Sequence, residues 1–538
     1  MSDDVKVELF LRKATGLVRE IGPGGAFIIP WASMAGSGIT FYAVQVLYSY
    51  PAGSVPLVFL IVGIPTILNT IIISYLCVAT PRSAGGYVWA TRFVDPVFGW
   101  FGAGWIYWIA YALAIALLSG VMTAVLAPIL SVMGAATGIT ALTSFGTLLS
   151  TNQTVVAALT FLFIVVVGLV SALEMKHFMR VLIALWAINT VGLIVSAVLF
   201  ATNSPATIGP HWDAVWGSGA YNAIMSLANK YNSAGYASSH SSGFWGDTLG
   251  IVAYMFWALT GYESLGYVAG EVRNPRSSFI KWFNAGMIST VLWYALVTWL
   301  TYNAYGDFIF KYNFVYNLYS SGALTAAESA SVSKFMFTPS MPLFSASLGS
   351  GPVVQVLASL WLWPIGASLL SYLPANRAIF GMSFDRMLPE TLGKVSDRTH
   401  GPVNAAIFNI VFGLIWAGIS FTSLGYLVTA ANLSFFFALA YFLYSLAAIA
   451  LPYKRPEVYE KGVKTTIFGI PAISLIGALS AGGMLWILAL STIGISLLAW
   501  NVTTIWMLAG FIVFVYYVHR NKKRGINVMD IYNQIPPP

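Results

Sequence analysis

Apolar segments of about twenty residues or more recur from residue 22 to residue 518, separated by short polar connections. In hydrocarbon only a helix or a closed barrel satisfies every backbone N–H and C=O internally, and segments of this length cross as helices. Twelve spans are predicted, at 22–48, 54–79, 97–128, 154–173, 178–201, 246–270, 282–304, 351–378, 403–421, 426–451, 468–490 and 494–518. Only 8% of the 538 residues are charged and 58% are hydrophobic, too little polar side chain to cover a water-soluble surface. The sequence therefore predicts an all-α integral membrane protein. Residues 1–20 mix Lys6, Arg12, Lys13 and Arg19 with acids, and the apolar stretch after them exceeds the core of a cleavable signal, so the first span is expected to stay in the protein.

The net charge of +8 is informative through its placement. Alternate connections carry 23 Lys and Arg against 3 on the opposite side, namely Lys230, Lys311 and Lys334. Basic connections normally face the cytoplasm, which predicts cytoplasmic termini and argues against nucleic acid as a partner. Two outer connections, 203–245 and 305–350, are long and rich in Ser, Gly, Asn and Tyr. Either they fold over the outer mouth or they are solvated loops, and the simpler solvated reading is the default.

The interior holds little chemistry. All five histidines (His177, His211, His240, His400, His519) lie at or beyond predicted span ends, and Cys77 is the only cysteine. Paired metal ligands, a redox dithiol and a disulfide are thus not expected. No Walker-type glycine loop, HExxH or GxSxG occurs, so ATP-driven pumping and familiar hydrolase chemistry lack their parts. No enzyme and no cofactor is predicted. The exception is Glu263, the one acid well inside an apolar span. A carboxylate at mid-membrane costs about 2.5 to 3.5 kcal/mol on insertion scales, so it should face a hydrated cavity, pair with a polar group, or be protonated. Two roles stay open for it: coupling or gating, and a hydrogen-bonded tie between helices.

Two spans are punctuated near their middles, the first by Gly36-Ser37-Gly38 and the sixth by Thr260-Gly261. Irregular backbone is tolerated at membrane depth only where it lines a cavity or is buried in protein. Unwound there, span 1 would offer N–H groups to a carboxylate and span 6 carbonyls to an ammonium, the two ends of an amino-acid zwitterion. A packing seam of small residues is the competing reading of Gly-Ser-Gly. Spans 1 and 6 open two sets of five helices, and an odd repeat length forces the sets to be inverted across the bilayer.

Four segments carry a resemblance to the amino acid-polyamine-organocation permeases. Gly36-Ser37-Gly38-Ile39 resembles the family's GSGI element. Pro81-Arg82-Ser83-Ala84-Gly85-Gly86-Tyr87 with Gly99-Trp100 is similar to its PRSGG-Y stretch. Gly261-Tyr262-Glu263-Ser264 and the run Gly270-Glu271-Val272-Arg273-Asn274-Pro275-Arg276 look like its GFE and E-E-x-K-N-P-x-R elements. RAIFGMSFDRMLP at 377–389 resembles its signature after span 8.

The resemblance implies a LeuT-like fold: a first inverted repeat at 22–202, an outer connection at 203–245, a second repeat at 246–451, and two extra helices at 468–518. Segments 1–21 and 519–538 would be the cytoplasmic tails of a cell-membrane protein. Ser37, Gly38 and Ile39, with Gly36, would hold the substrate carboxylate. Carbonyls around Met34, Trp257, Ala258 and Thr260, with Gly261 and Tyr262 beside them, would take the amine. Trp257 falls where some relatives stack an aromatic on substrate, and Glu263 where they carry a pH-responsive glutamate.

One departure is Asn189, which stands where some proton-coupled members have a lysine. Coupling is then left to Glu263 protonation, to a sodium site near spans 1 and 8 that could use Ser368 or Ser371, or to uncoupled exchange. The expected function is secondary amino-acid transport by alternating access, coupled to Na+ or H+. The alternatives are an amino acid/polyamine or organic-cation exchanger and, further off, a non-transporting receptor. The expected partners are the amino acid and the lipid bilayer. A valine at Gly38 is expected to abolish binding in a chain that still folds.

Overall fold

The computed structural model describes residues 16–34, 36–422, 433–493 and 495–537. Lys6, Arg12 and Lys13, and the start of the tenth span at 426–432, lie outside the described residues.

Among the described residues, ten helices are long and apolar enough to cross a membrane, from Val55–Ala79 to Leu497–Lys523. The first expected span is a bent pair, Pro23–Met34 and Gly38–Tyr48, turned by 50°. The sixth is no continuous helix: Gly243–Gly250 and Val252–Ala258 are followed by irregular backbone and the single turn Ser264–Tyr267. Among the described residues, the first and sixth expected spans are therefore interrupted. The third span is longer than expected, Pro96–Thr137. The eighth starts as Pro352–Ala358, breaks, and resumes as Trp363–Phe384.

Burial sorts these helices. The second, third, eighth and tenth spans are mostly buried, whereas the fourth, fifth, ninth and twelfth expose most of their surface. The exposed side chains there include the apolar Leu162, Leu169, Ile194, Val198, Leu508 and Ile512. Apolar surface on this scale belongs against lipid and not water. The protein is a multi-pass membrane protein.

The default of solvated outer connections is overturned. Residues 203–245 form Ile208–Trp216, Ala220–Lys230 and Ser233–His240, and residues 305–350 include Phe308–Ser320, Ala326–Val332 and Met341–Ala346. Trp212 is buried at ring distances of 5.0 and 5.5 Å from Phe308 and Tyr312, and Lys230 pairs with Glu328 at 2.6 Å. The two connections thus share a core of their own. Asn313 Nδ2 donates to the Val44 carbonyl and Gln45 Nε2 to that of Pro339, both at 2.8 Å, so the assembly caps the far half of span 1. Asn313 and Tyr312, of residue types that look solvated in the sequence, take part in these cross-links.

Candidate functional site

The two breaks meet. Span 1 stops at Met34 and resumes at Gly38. The amides that begin a helix have no acceptor in a preceding turn. In span 6, Gly261 takes φ +104°, a conformation that L side chains avoid and glycine adopts readily. The segments are in close contact: a Cβ placed on Gly38 would lie 2.3 Å from both Cα and Cβ of Ala258. Gly38 is therefore also a packing glycine, in keeping with the small-residue seam given as the competing reading of Gly-Ser-Gly. Trp257 Nε1 donates to Ser37 Oγ at 2.7 Å, a direct bond between the two breaks.

Between them lies a cavity of about 30 Å³, room for one or two waters. In this state the site is nearly closed. Its wall includes Met34, Gly36, Gly38, Trp257, Thr260, Gly261 and Ser371 of the expected residues. Ser37, bonded to Trp257, and Ile39 and Ala258 are buried beside it without forming its wall. Tyr262 is turned elsewhere, its hydroxyl donating to Asn69 Oδ1 at 2.9 Å. The carbonyl of Trp257 already accepts from both the amide and the hydroxyl of Thr260, at 3.2 and 2.7 Å, so among the carbonyls expected for an amine this one is occupied.

The rest of the wall was not anticipated: Ser33, Tyr111, Ala114, Leu118, Ala367, Leu370 and Phe437. These bring spans 3, 8 and 10 to the site. Apart from hydroxyls and backbone the lining is apolar, and it contains no charged side chain.

Glu263 is buried directly behind Tyr111. Its Oε1 accepts from Tyr107 and Tyr111 hydroxyls at 2.9 and 2.5 Å. Its Oε2 accepts from the Gly261 amide at 3.2 Å and from the Tyr441 hydroxyl. Four donors occupy the roughly four acceptor positions of a carboxylate, so the acid is accommodated without a cation. The geometry ties span 3, the break of span 6 and span 10 into one unit. The signal for this lay in Tyr107 and Tyr111, which are four residues apart and so share one helix face.

The remaining candidates are dispersed. Asn189 and Ser368 are buried, and Asn189 Oδ1 and Ser368 Oγ have no hydrogen-bond partner among the described residues. Ser371 Oγ donates to the Ala367 carbonyl at 2.8 Å, the ordinary bond of a serine to its own helix. Among the described residues no cluster of three or more His, Cys, Asp or Glu could hold a metal.

Below the site, Arg377 of span 8 grips Glu271 at the end of span 6, Nε to Oε1 at 2.8 Å and Nη2 to Oε2 at 2.7 Å. Both side chains are buried. A bidentate guanidinium–carboxylate contact is among the stronger hydrogen-bonded pairs, and it closes the face to which residues 20–21 are also bonded through the Glu271 carbonyl.

The profile of a family described as "Amino acid permease" matches residues 25–524, nearly the whole chain and both breaks. The chain belongs to the amino acid permease family. It is also similar to the branched-chain amino acid permease BcaP of Lactococcus lactis subsp. cremoris, with 22% identity over 454 residues, 82% of each chain. The family and this relative make the protein a transporter and not an enzyme, with an amino acid as the consistent substrate class.

Proposed function

We propose that this permease carries neutral, apolar amino acids by alternating access, with the backbone ends of the substrate held between the breaks of spans 1 and 6. The observation that carries the proposal is the wall of the central cavity: residues of two helix breaks on one side, and Leu118, Ala367, Leu370 and Phe437 with no charged side chain on the other. A zwitterion has its ends taken by N–H and C=O groups and leaves an apolar side chain to an apolar wall. The relative named for branched-chain amino acids agrees with this choice. A polyamine or other organic cation would need a negative wall, and Glu263 is enclosed by its four donors.

Within the proposal the chain has a LeuT-like five-plus-five layout with two added helices, in the cell membrane with cytoplasmic termini. The broken openings of the two helix sets support it. Transport is coupled to Na+ or H+, with Ser368, whose buried hydroxyl has no hydrogen-bond partner among the described residues, the candidate ligand for a sodium ion and Glu263 the candidate for a proton. The test is uptake of labelled amino acids and polyamines into proteoliposomes under imposed Na+ or H+ gradients, with and without internal substrate. Accumulation of leucine, valine or isoleucine under one gradient supports the reading. Uptake of lysine, arginine or polyamines without the apolar amino acids would overturn it.

A further inference from the structure

The C-terminal tail, which reads as a short charged appendage, is seated inside the protein. The last long helix ends at Lys523 and the chain turns at Gly525, φ +74°. A single helical turn, Val528–Tyr532, follows, with Ile531 and Tyr532 buried. The tail is then held by its main chain. Arg92 Nε donates to the Gln534 carbonyl at 3.2 Å, Arg82 Nε to that of Pro536 at 2.8 Å, and Arg455 to that of Asn533. Proline has no amide to leave unpaired on burial, and Pro536 and Pro537 wall a small cavity with Tyr87, Phe380 and Phe384.

What the tail touches is the closure of this face. Arg92 is paired with Asp385 after span 8 at 2.7 Å, both side chains buried. The Tyr532 ring lies 5.0 Å under the Arg92 guanidinium, and its hydroxyl is 3.2 Å from that of Tyr87. A cation over a tyrosine face is attracted by the ring. Next to Arg82, Ser83 Oγ donates to Glu271 Oε1 at 3.5 Å and the Ala84 amide donates to the Tyr267 carbonyl at 2.8 Å. The tail thus spans three parts: the connection joined to the end of span 6, the end of span 8, and the connection after span 10.

We propose that residues 525–537 are a releasable lock. Seated, they hold the terminus side of the central cavity closed by tying the Arg82–Arg92 connection to the end of span 8. Displaced, they let that side open. The proposal rests on the alternating-access reading, and its test needs no substrate.

The reporter is Ser371→Cys, on the wall of the central cavity, in a Cys77→Ser background. Full-length protein is sealed in proteoliposomes, and a membrane-impermeant thiol reagent is applied from the terminus side. Chains ending after Gly525 and chains carrying Tyr532→Ala are expected to label about tenfold faster than the intact tail, the change in open population given by losing about 1.4 kcal/mol of closed-state bias. Equal labelling in the intact and altered chains overturns the lock. So does failure of both altered chains to yield folded, monodisperse protein, because the tail would then be part of the fold and not releasable. Leucine uptake by the intact-tail chain with Ser371 unchanged tests the transport reading on its own, so the two fail separately.

Discussion

Gly38→Ala is the perturbation whose size can be worked most closely from the geometry. The added Cβ would meet Ala258 Cα and Cβ at 2.3 Å and the Ala258 amide nitrogen at 2.8 Å. Two of these three atoms are backbone, so no rotamer change relieves the overlap. The breaks of spans 1 and 6 must part by roughly an ångström, and overpacking of this kind costs about 1 to 3 kcal/mol. That cost falls on the arrangement in which the segments touch, so thermal unfolding of the purified protein in detergent should show a destabilisation of about 1 to 3 kcal/mol. Adding Ala258→Gly should restore part of the loss and not all of it, because the overlap with the main chain of residue 258 remains. A wild-type unfolding midpoint in Gly38→Ala would refute the packing of the two breaks. Full rescue by Ala258→Gly would refute the close approach of the two main chains.

Four further outcomes are expected. Trp257→Phe keeps the ring and loses the 2.7 Å bond to Ser37, a change of about 0.5 to 1.5 kcal/mol that leucine binding should register as a loss of up to about tenfold. Tyr441→Phe leaves Glu263 Oε2 with the Gly261 amide alone, and thermal unfolding in detergent should show a destabilisation of about 1 to 3 kcal/mol; an unchanged midpoint would argue against the tie. Arg377→Met strands Glu271 in a buried setting and should cost about 3 to 5 kcal/mol, with the double change Arg377→Met, Glu271→Leu recovering most of it. In the cap over span 1, Glu328 is held down at about 2 by Lys230, the Thr325 amide and hydroxyl, and Tyr231. Its contribution to the cap is therefore full above the ordinary carboxylate value and is lost as pH falls through about 2. An NMR titration with a midpoint near 4.5, the ordinary value for this group, would contradict the clasp.

Much of the membrane architecture was legible because hydrocarbon imposes one rule, a long apolar helix for each crossing. The breaks were legible too: Gly36-Ser37-Gly38 and Thr260-Gly261 are poor helix formers set in apolar runs, and the chain is irregular at both. Facing was not legible. A helix such as Tyr107–Thr137 is apolar around its whole circumference and two-thirds of its spanning window is buried, so periodicity could not say that Tyr111, Ala114 and Leu118 meet the cavity. The same blindness hid Leu370 and Phe437. Tyr262 was misjudged for a related reason. It follows a glycine at positive φ, and its hydroxyl is bonded to Asn69 instead of lining the cavity. The cap stayed one of two open readings and the seat of the tail was missed because composition reports solubility and not tertiary pairing. Tyr319 and Ser320 look no different in the sequence from Tyr312, whose hydroxyl donates to the Phe335 and Phe337 carbonyls at 2.7 and 2.9 Å.

The most direct test is an electron cryomicroscopy structure with leucine bound. Density between Gly36–Gly38 and Thr260–Gly261, its side chain against Leu118, Leu370 and Phe437, is the predicted result. Density instead in the cavity of about 350 Å³ beneath the cap, among Tyr42, Tyr48, Tyr254 and Tyr316, with the central cavity empty, would contradict the account.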